Sequence, residues 1–357
     1  MKEEKRYNTG IGHAKFFFVG GYSVLDRKNV GLVLSLEPII KCEGILEHFD
    51  LLDNIVEIQA LTHPKNIMFK YSFDKRVDIK QSEPPLLTNG YDCFIHASIY
   101  TFFYHFSFNS LDFGEGNNLI KLEITGDSSF YNNDGKNGLG SSAATTVSII
   151  SCLMKIFSIK NDDLLFKLAA IAHSLAQGKI GSCFDISCAI FGSQIYRRPS
   201  PSFISLDKLN EKWDYEIEPI KPRLQLIIYL LYTEFKGSST PKLVKIFNEA
   251  AKTHQSQYQE YVDTTQNTIN ILKNSNNIEE IKQSLKKLRH IQRQISKDWN
   301  CPIVPDEIEK KAIELEQNED IIGVVVPGAG GYDSIAVVTK NPHFIPNTMT
   351  IISKTYF

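Results

Sequence analysis

Strand-like and helix-like segments that mix without strict alternation predict an α+β fold for this chain of 357 residues. Three observations carry that reading. Residues 15–73 hold several apolar runs of strand length. Residues 141–191 hold apolar-periodic segments of helix length. The second half sets long polar helices between short apolar strands.

The elements follow in order. Lys15 to Leu25 opens on a continuous apolar run suited to a buried strand, and Gly20-Gly21 interrupts it with a turn or bulge. Gly31 to Leu36 and Ile39 to Ile45 read as two strands divided by Glu37-Pro38. Ile55 to Ala60 and Asn66 to Phe73 continue the pattern. Asp92 to Phe106 is aromatic-heavy and reads as a helix with Asp92 at its start, its rings being core. After the strand Leu119 to Thr125, a polar loop leads into a helix from Ala143 to Phe157. Asn161 and Asp162 cap a helix over Leu164 to Ala176, and Gly178 ends it. Phe184 to Phe191 is a further helix stopped by Gly192, and Ser193 to Arg197 is a strand.

Arg198 to Trp213 is irregular and marks a domain boundary, so the expected domains are 1–205 and 206–357. Leu224 to Tyr232 is a strand. Gly237-Ser238-Ser239-Thr240-Pro241 is a helix start, with hydroxyl caps and then proline. Helices over Lys242 to Lys273 and Ile278 to Lys297 follow, turned by Asn274 to Asn277, then a third over Ile308 to Asn318. Val324 to Pro327 and Ser334 to Thr339 flank Gly328-Ala329-Gly330-Gly331, and Thr348 to Ile352 closes the chain.

Composition narrows the function. Hydrophobic residues make up 42% and charged residues 22%, ordinary for a globular protein. A net charge of −2 gives no electrostatic case for nucleic acid or an anionic membrane. No apolar run reaches membrane-spanning length. The six cysteines include no Cys-x-x-Cys pair, which argues against zinc or a disulfide framework and for free thiols in a reducing, cytoplasmic setting. Oligomeric state is left open.

Chemistry concentrates at Lys136, Asn137, Gly138, Leu139, Gly140, Ser141, Ser142 and Ala143. The first amides of a helix have no partner inside it, and the dipole adds positive potential there. Gly138 and Gly140 remove the Cβ atoms that would keep a phosphate away. The stretch fits a polyphosphate cradle as well as it fits a plain capped helix. It fails as a Walker loop, because Gly140 stands where lysine must precede Ser141. It fails as a dinucleotide fingerprint, because no strand runs directly into it.

Elsewhere single residues are ambiguous. Lys15 is either a solvated strand end or a cation for a phosphoryl group. Asp185 is either a first-turn carboxylate favoured by the helix dipole or a catalytic group. Ser238, Ser239 and Thr240 cap a helix or bind an anion. Arg197 and Arg198 are solvated or grip a phosphate. Gly330 and Gly331 allow a close backbone approach, with Asp333 just beyond.

Three ordered segments resemble the motifs of the GHMP small-molecule kinases, a family that includes galactokinase, homoserine kinase and mevalonate kinase. They are Lys15 on its strand, Gly138 to Ala144, and Pro327 to Asp333, and they span nearly the whole chain. Within the family, Gly20-Gly21-Tyr22-Ser23-Val24-Leu25, Gly178 to Ser187 and Gly192-Ser193-Gln194 most resemble the members whose acceptor is 5-phosphomevalonate. Gly12-His13-Ala14-Lys15 lacks a usual proline, and Cys183 replaces a glycine.

The resemblance implies a two-domain GHMP kinase fold with the active site in the cleft between the domains. It implies transfer of the ATP γ-phosphoryl to 5-phosphomevalonate, giving the diphosphate and ADP in the mevalonate route to isoprenoids and sterols. Another kinase of the family, or a member that binds without catalysis, is the alternative. Lys15 and Asp185 would be catalytic, the cradle would hold ATP, and Ser142 would meet Mg²⁺. Tyr22, Ser182, Arg197, Arg198, Ser238, Ser239, Thr240, Gly330, Gly331 and Asp333 would bind the acceptor.

Overall fold

The computed structural model describes residues 6–49, 54–76, 92–106, 110–113, 116–132, 135–136, 138–233, 240–344 and 349–357. In chain order the elements are β1 (Arg6–Val19), β2 (Gly31–Phe49), β3 (Ile55–His63), β4 (Ile67–Asp74), α1 (Cys93–His105), β5 (Asn117–Gly126), β6 (Tyr131–Asn132), β7 (Gly135–Lys136), α2 (Ser141–Ile156), α3 (Asp162–Gln177) and α4 (Phe184–Phe191). There follow β8 (Gln194–Arg197), β9 (Glu216–Pro219), β10 (Ile227–Tyr232), α5 (Thr240–Ala251), α6 (Gln255–Asn274), α7 (Ile278–Asp298), α8 (Asp306–Leu315), β11 (Ile321–Val325), β12 (Ser334–Thr339) and β13 (Thr350–Tyr356). The expected α+β class is what the chain adopts.

The chain groups into two compact units that interleave along the sequence. The first takes the described residues of Met1–Ala14, Pro38–Ile190 and Pro199–Asp214. The second takes Lys15–Glu37, Phe191–Arg198 and those of Tyr215–Phe357.

In the first unit the strand order is β4-β3-β5-β2, antiparallel except for the parallel pair β3–β5. α1, α2 and α3 pack together, and α2 is buried along almost its whole length. Asp92 caps α1 by accepting from the amides of Phe94 and Ile95 at 3.0 and 3.1 Å. Asn161 caps α3 at the amide of Leu164, and Gly178 ends that helix in the left-handed region at φ 64. The irregular 199–214 stretch belongs here: Trp213 is buried, edge-on to Phe166.

In the second unit, Gly31–Val33 of β2 pair with β8, which pairs with β9. A second sheet has the antiparallel order β11-β12-β10-β13. α7 lays one apolar stripe, with Ile281, Leu285, Leu288 and Ile295, toward the interior. It sits close on β11, since a Cβ on Gly323 would come 2.9 Å from Leu285.

Two of the boundaries that differ from expectation have a visible cause. Glu37-Pro38 does not divide β2, which runs unbroken from Gly31 to Phe49. Pro38 falls between the stretch paired with β8, ending at Val33, and the stretch paired with β5, starting at Ile40, where those partners need no donated amide. The helix expected over Lys242 to Lys273 is two helices. The Thr253 hydroxyl and the His254 amide both donate to the Ala250 carbonyl at 3.0 Å, closing α5 off.

Candidate active site

The first unit holds the start of α2. Two close contacts put it there. A Cβ on Gly12 would overlap the carbonyl of Ala144, and one on Gly10 that of Ser148, so β1 lies directly on the helix backbone. Gly140 precedes the helix in the left-handed region at φ 83 and offers no side-chain cap. Its carbonyl receives the first intrahelical bond, from the Ala144 amide at 3.0 Å. The amides of Ser141, Ser142 and Ala143 therefore precede the helical ladder and carry the positive end of the dipole.

Leu139, only 2% exposed, anchors the loop from below. Gly138 has φ 70, and an added Cβ there would meet none of the described residues within 4 Å. Lys136 pairs through its backbone with Tyr131, and Asn137 lies outside the described residues.

Asp185 stands in the first turn of α4. Its Oδ1 accepts from the Ile186 amide at 3.0 Å. Its Oδ2 lies 3.9 Å from Nε2 of His173 on α3. The same nitrogen is 3.1 Å from the Ser142 hydroxyl. Ser142 and Asp185, far apart in sequence, thus meet around one imidazole. No local signal marks His173, because a histidine within Ala-Ala-Ile-Ala-His reads as an ordinary core residue. Ser182 is half-buried in the loop before α4. Cys183 adopts φ 58, the left-handed region where glycine is at ease and an L side chain is strained.

The second unit holds Lys15, half-buried, with Phe16, Phe17 and Phe18 buried behind it on β1. The Phe17 carbonyl accepts from the Gly328 amide at 2.8 Å. Gly21 lies so close to Gly328 that a Cβ would overlap its carbonyl. Tyr22 is 1% exposed, stacks on Phe247 with centroids 4.1 Å apart, and donates to the Ala329 carbonyl at 2.6 Å. Burial pushes its hydroxyl pKa well up, with smaller contributions from Cys301 and Tyr261. The first and third motifs are thereby joined.

Several expected acceptor ligands have protein partners in this structure. Tyr22 spends its hydroxyl on Ala329. A Cβ on Gly330 would overlap the Ile303 carbonyl, and the Gly331 amide donates to that oxygen at 2.9 Å. The close approach inferred for this turn is made by the protein's own backbone. Arg197 donates to the carbonyls of Arg27 and Lys28 at 3.0 Å and pairs with Glu216 at 3.0 Å. Arg198 is half-buried, its carbonyl receiving Arg27 at 3.3 Å. Asp333 and Thr240 keep exposed side chains. Ser238 and Ser239 lie outside the described residues.

Among the described residues there is no group of three or more His, Cys, Asp or Glu side chains that could hold a metal, and no helix long and apolar enough to cross a membrane. All six cysteines are free thiols.

Residues 112–193 match the GHMP kinases N terminal domain, and the whole chain has the GHMP kinase fold. The sequence is similar to a phosphomevalonate kinase of Aspergillus fumigatus, 30% identical over 59% of this chain and 52% of that protein. The chain therefore matches about half the length of that relative. In structure it is similar to the Lin0012 protein of Listeria innocua, at a TM-score of 0.72 and 20% identity over 99% of both chains. It is also similar to the Streptococcus pneumoniae phosphomevalonate kinase solved with phosphomevalonate and AMPPNP. There the TM-score is 0.64, with 16% identity over 99% of this chain and 100% of that one.

Proposed function

We propose that this protein transfers the γ-phosphoryl group of ATP to the phosphate of 5-phosphomevalonate, releasing ADP and the diphosphate. The observation that carries the reading is the start of α2: three amides ahead of the ladder, none of the described residues within 4 Å of a Cβ at Gly138, and Ser142 linked through His173 to Asp185. The likeness to phosphomevalonate kinases supplies the acceptor.

The chemistry suits these residues. A phosphate monoester has a second pKa of about 6, so the attacking oxygen is already largely ionised at neutral pH. A strong general base is not needed. Bringing two polyanions together is the harder problem, and Lys15 is assigned to neutralise them. Asp185 orients the acceptor rather than taking a proton. Ser141, Ser142 and the neighbouring amides hold the β- and γ-phosphates.

Mg²⁺ fits this donor set. Ser142 Oγ and the Asp185 carboxylate are hard oxygen donors, and Mg²⁺ takes few protein ligands when phosphates supply the rest. Ser142 would hold it, with Asp185 nearby; when bound it supplies charge neutralisation on the phosphates. The six free thiols suit a cytoplasmic setting.

A coupled ADP-release assay with mevalonate and 5-phosphomevalonate side by side tests the reading. Efficient turnover of 5-phosphomevalonate alone is expected. Turnover of mevalonate instead would make the protein a different kinase of this fold, and no ATP turnover with either would overturn catalysis. Asp185→Asn is expected to cost clearly less activity than Lys15→Met; the reverse order would remove the roles assigned to these two side chains.

A further inference from the structure

We propose that His173 is a positioning residue that sets the Ser142 hydroxyl for its ligand and ties it to Asp185. It is 6% exposed, on α3, with the Phe94 ring 5.3 Å from its own. Its Nε2 faces Ser142 Oγ at 3.1 Å and Asp185 Oδ2 at 3.9 Å. Gln177, one turn further along α3, brings its amide nitrogen to 3.2 Å from Nδ1 and 3.0 Å from Nε2.

The Asp185 carboxylate near Nε2 favours the ring proton on that nitrogen, while the Gln177 amide, within 3.2 Å of both ring nitrogens, does not choose between them. Nε2–H then donates to Ser142 Oγ. The serine's own proton is turned away from the ring, toward whatever sits at the start of α2. Without the imidazole, Ser142 could rotate among its staggered positions, and the link to α4 would be lost. What this coupling achieves rests on the kinase reading above: a hydroxyl held ready for a phosphate oxygen or a cation, and a carboxylate kept beside it.

The experiment compares the full chain with Ser142→Ala, His173→Ala and His173→Gln. Imidazole ¹⁵N spectra are recorded, and ADP release is measured with 5-phosphomevalonate. The His173 signals are expected to report the Nε2–H tautomer and to shift in Ser142→Ala. His173→Ala should lower kcat about ten- to a hundredfold, the range typical of residues that orient a ligand-holding group. Both KM values should stay within about threefold, because ground-state binding is left in place. His173→Gln, whose amide can donate from the place of Nε2, should recover most of kcat.

A merely structural histidine would instead lower the thermal midpoint and raise KM in both variants, without rescue by glutamine. The Nδ1–H tautomer, or signals unmoved by Ser142→Ala, overturns the proposal even if His173→Ala fails to fold. Unchanged kcat in a folded His173→Ala also overturns it. If the unaltered protein releases no ADP, the kinase reading falls, and the spectra decide the coupling separately.

Discussion

Two glycine-bearing turns, 138–140 before α2 and 328–331 before β12, look alike as strings and differ in what surrounds them. At Gly138 an added Cβ would meet none of the described residues within 4 Å. Gly330 is pressed against the Ile303 backbone, and Gly331 bonds to the same carbonyl at 2.9 Å. The first turn uses missing side chains to leave room for something else. The second uses them to let the chain pack against itself. A glycine run signals close approach; only its neighbours say whether a ligand or the protein approaches.

That difference can be broken by substitution. Gly330→Ala should show the largest effect, a loss of about 3 kcal/mol or more of stability in denaturant unfolding, because overlap with backbone cannot be relieved by a rotamer change. A loss below about 1 kcal/mol would mean that the turn is not packed as described.

Tyr22→Phe should come next. It removes the hydroxyl that holds Ala329 and leaves a carbonyl unpaired, at a cost of about 1–2 kcal/mol. The stacking on Phe247 is retained, so the measured loss reports the hydroxyl's hydrogen bonds, to Ala329 and to Cys301.

Gly138→Ala should cost only about 1 kcal/mol, the penalty of a left-handed backbone, since none of the described residues stands where the new Cβ goes. Affinity for an ATP analogue, measured by calorimetry, should fall in this variant far more than stability does. The opposite pattern would make the two turns equivalent.

The smallest effect is a pH dependence at His13, next to Gly12 on β1, the strand that lies on the α2 backbone. Burial lowers its pKa from 6.5. The native state therefore resists the proton more than the unfolded chain does. His13 should cost nothing above pH 6.5 and should erode stability as pH falls below 6.5 toward its lowered value. His13→Gln should flatten that part of the stability curve; an unchanged slope would assign it to other groups.

Much of the architecture could be read from local pattern. α4 spans Phe184–Phe191 and β12 spans Ser334–Thr339, as expected from apolar runs closed by glycine or turn residues. Asn161 and Gly178 bracket α3 as capping chemistry requires. Other features could not be read locally. β9, Glu216–Pro219, is four residues long and largely exposed, and it is a strand because β8 offers it an edge. The resemblance gives Tyr22 a ligand-binding role, and its structural partner, Ala329, 307 residues away, is visible only in the fold.

The amino-acid order alone determined the α+β class, the capped helix ends and the amide-rich start of α2, because each depends on propensities and spacing within a few residues. The folded chain decided which polar groups were still available. Ser142 and Asp185 share His173, while Arg197 and Gly331 are taken by backbone carbonyls. Competition for a hydrogen bond is settled between groups distant along the chain, and only the packed structure brings them within reach of one another.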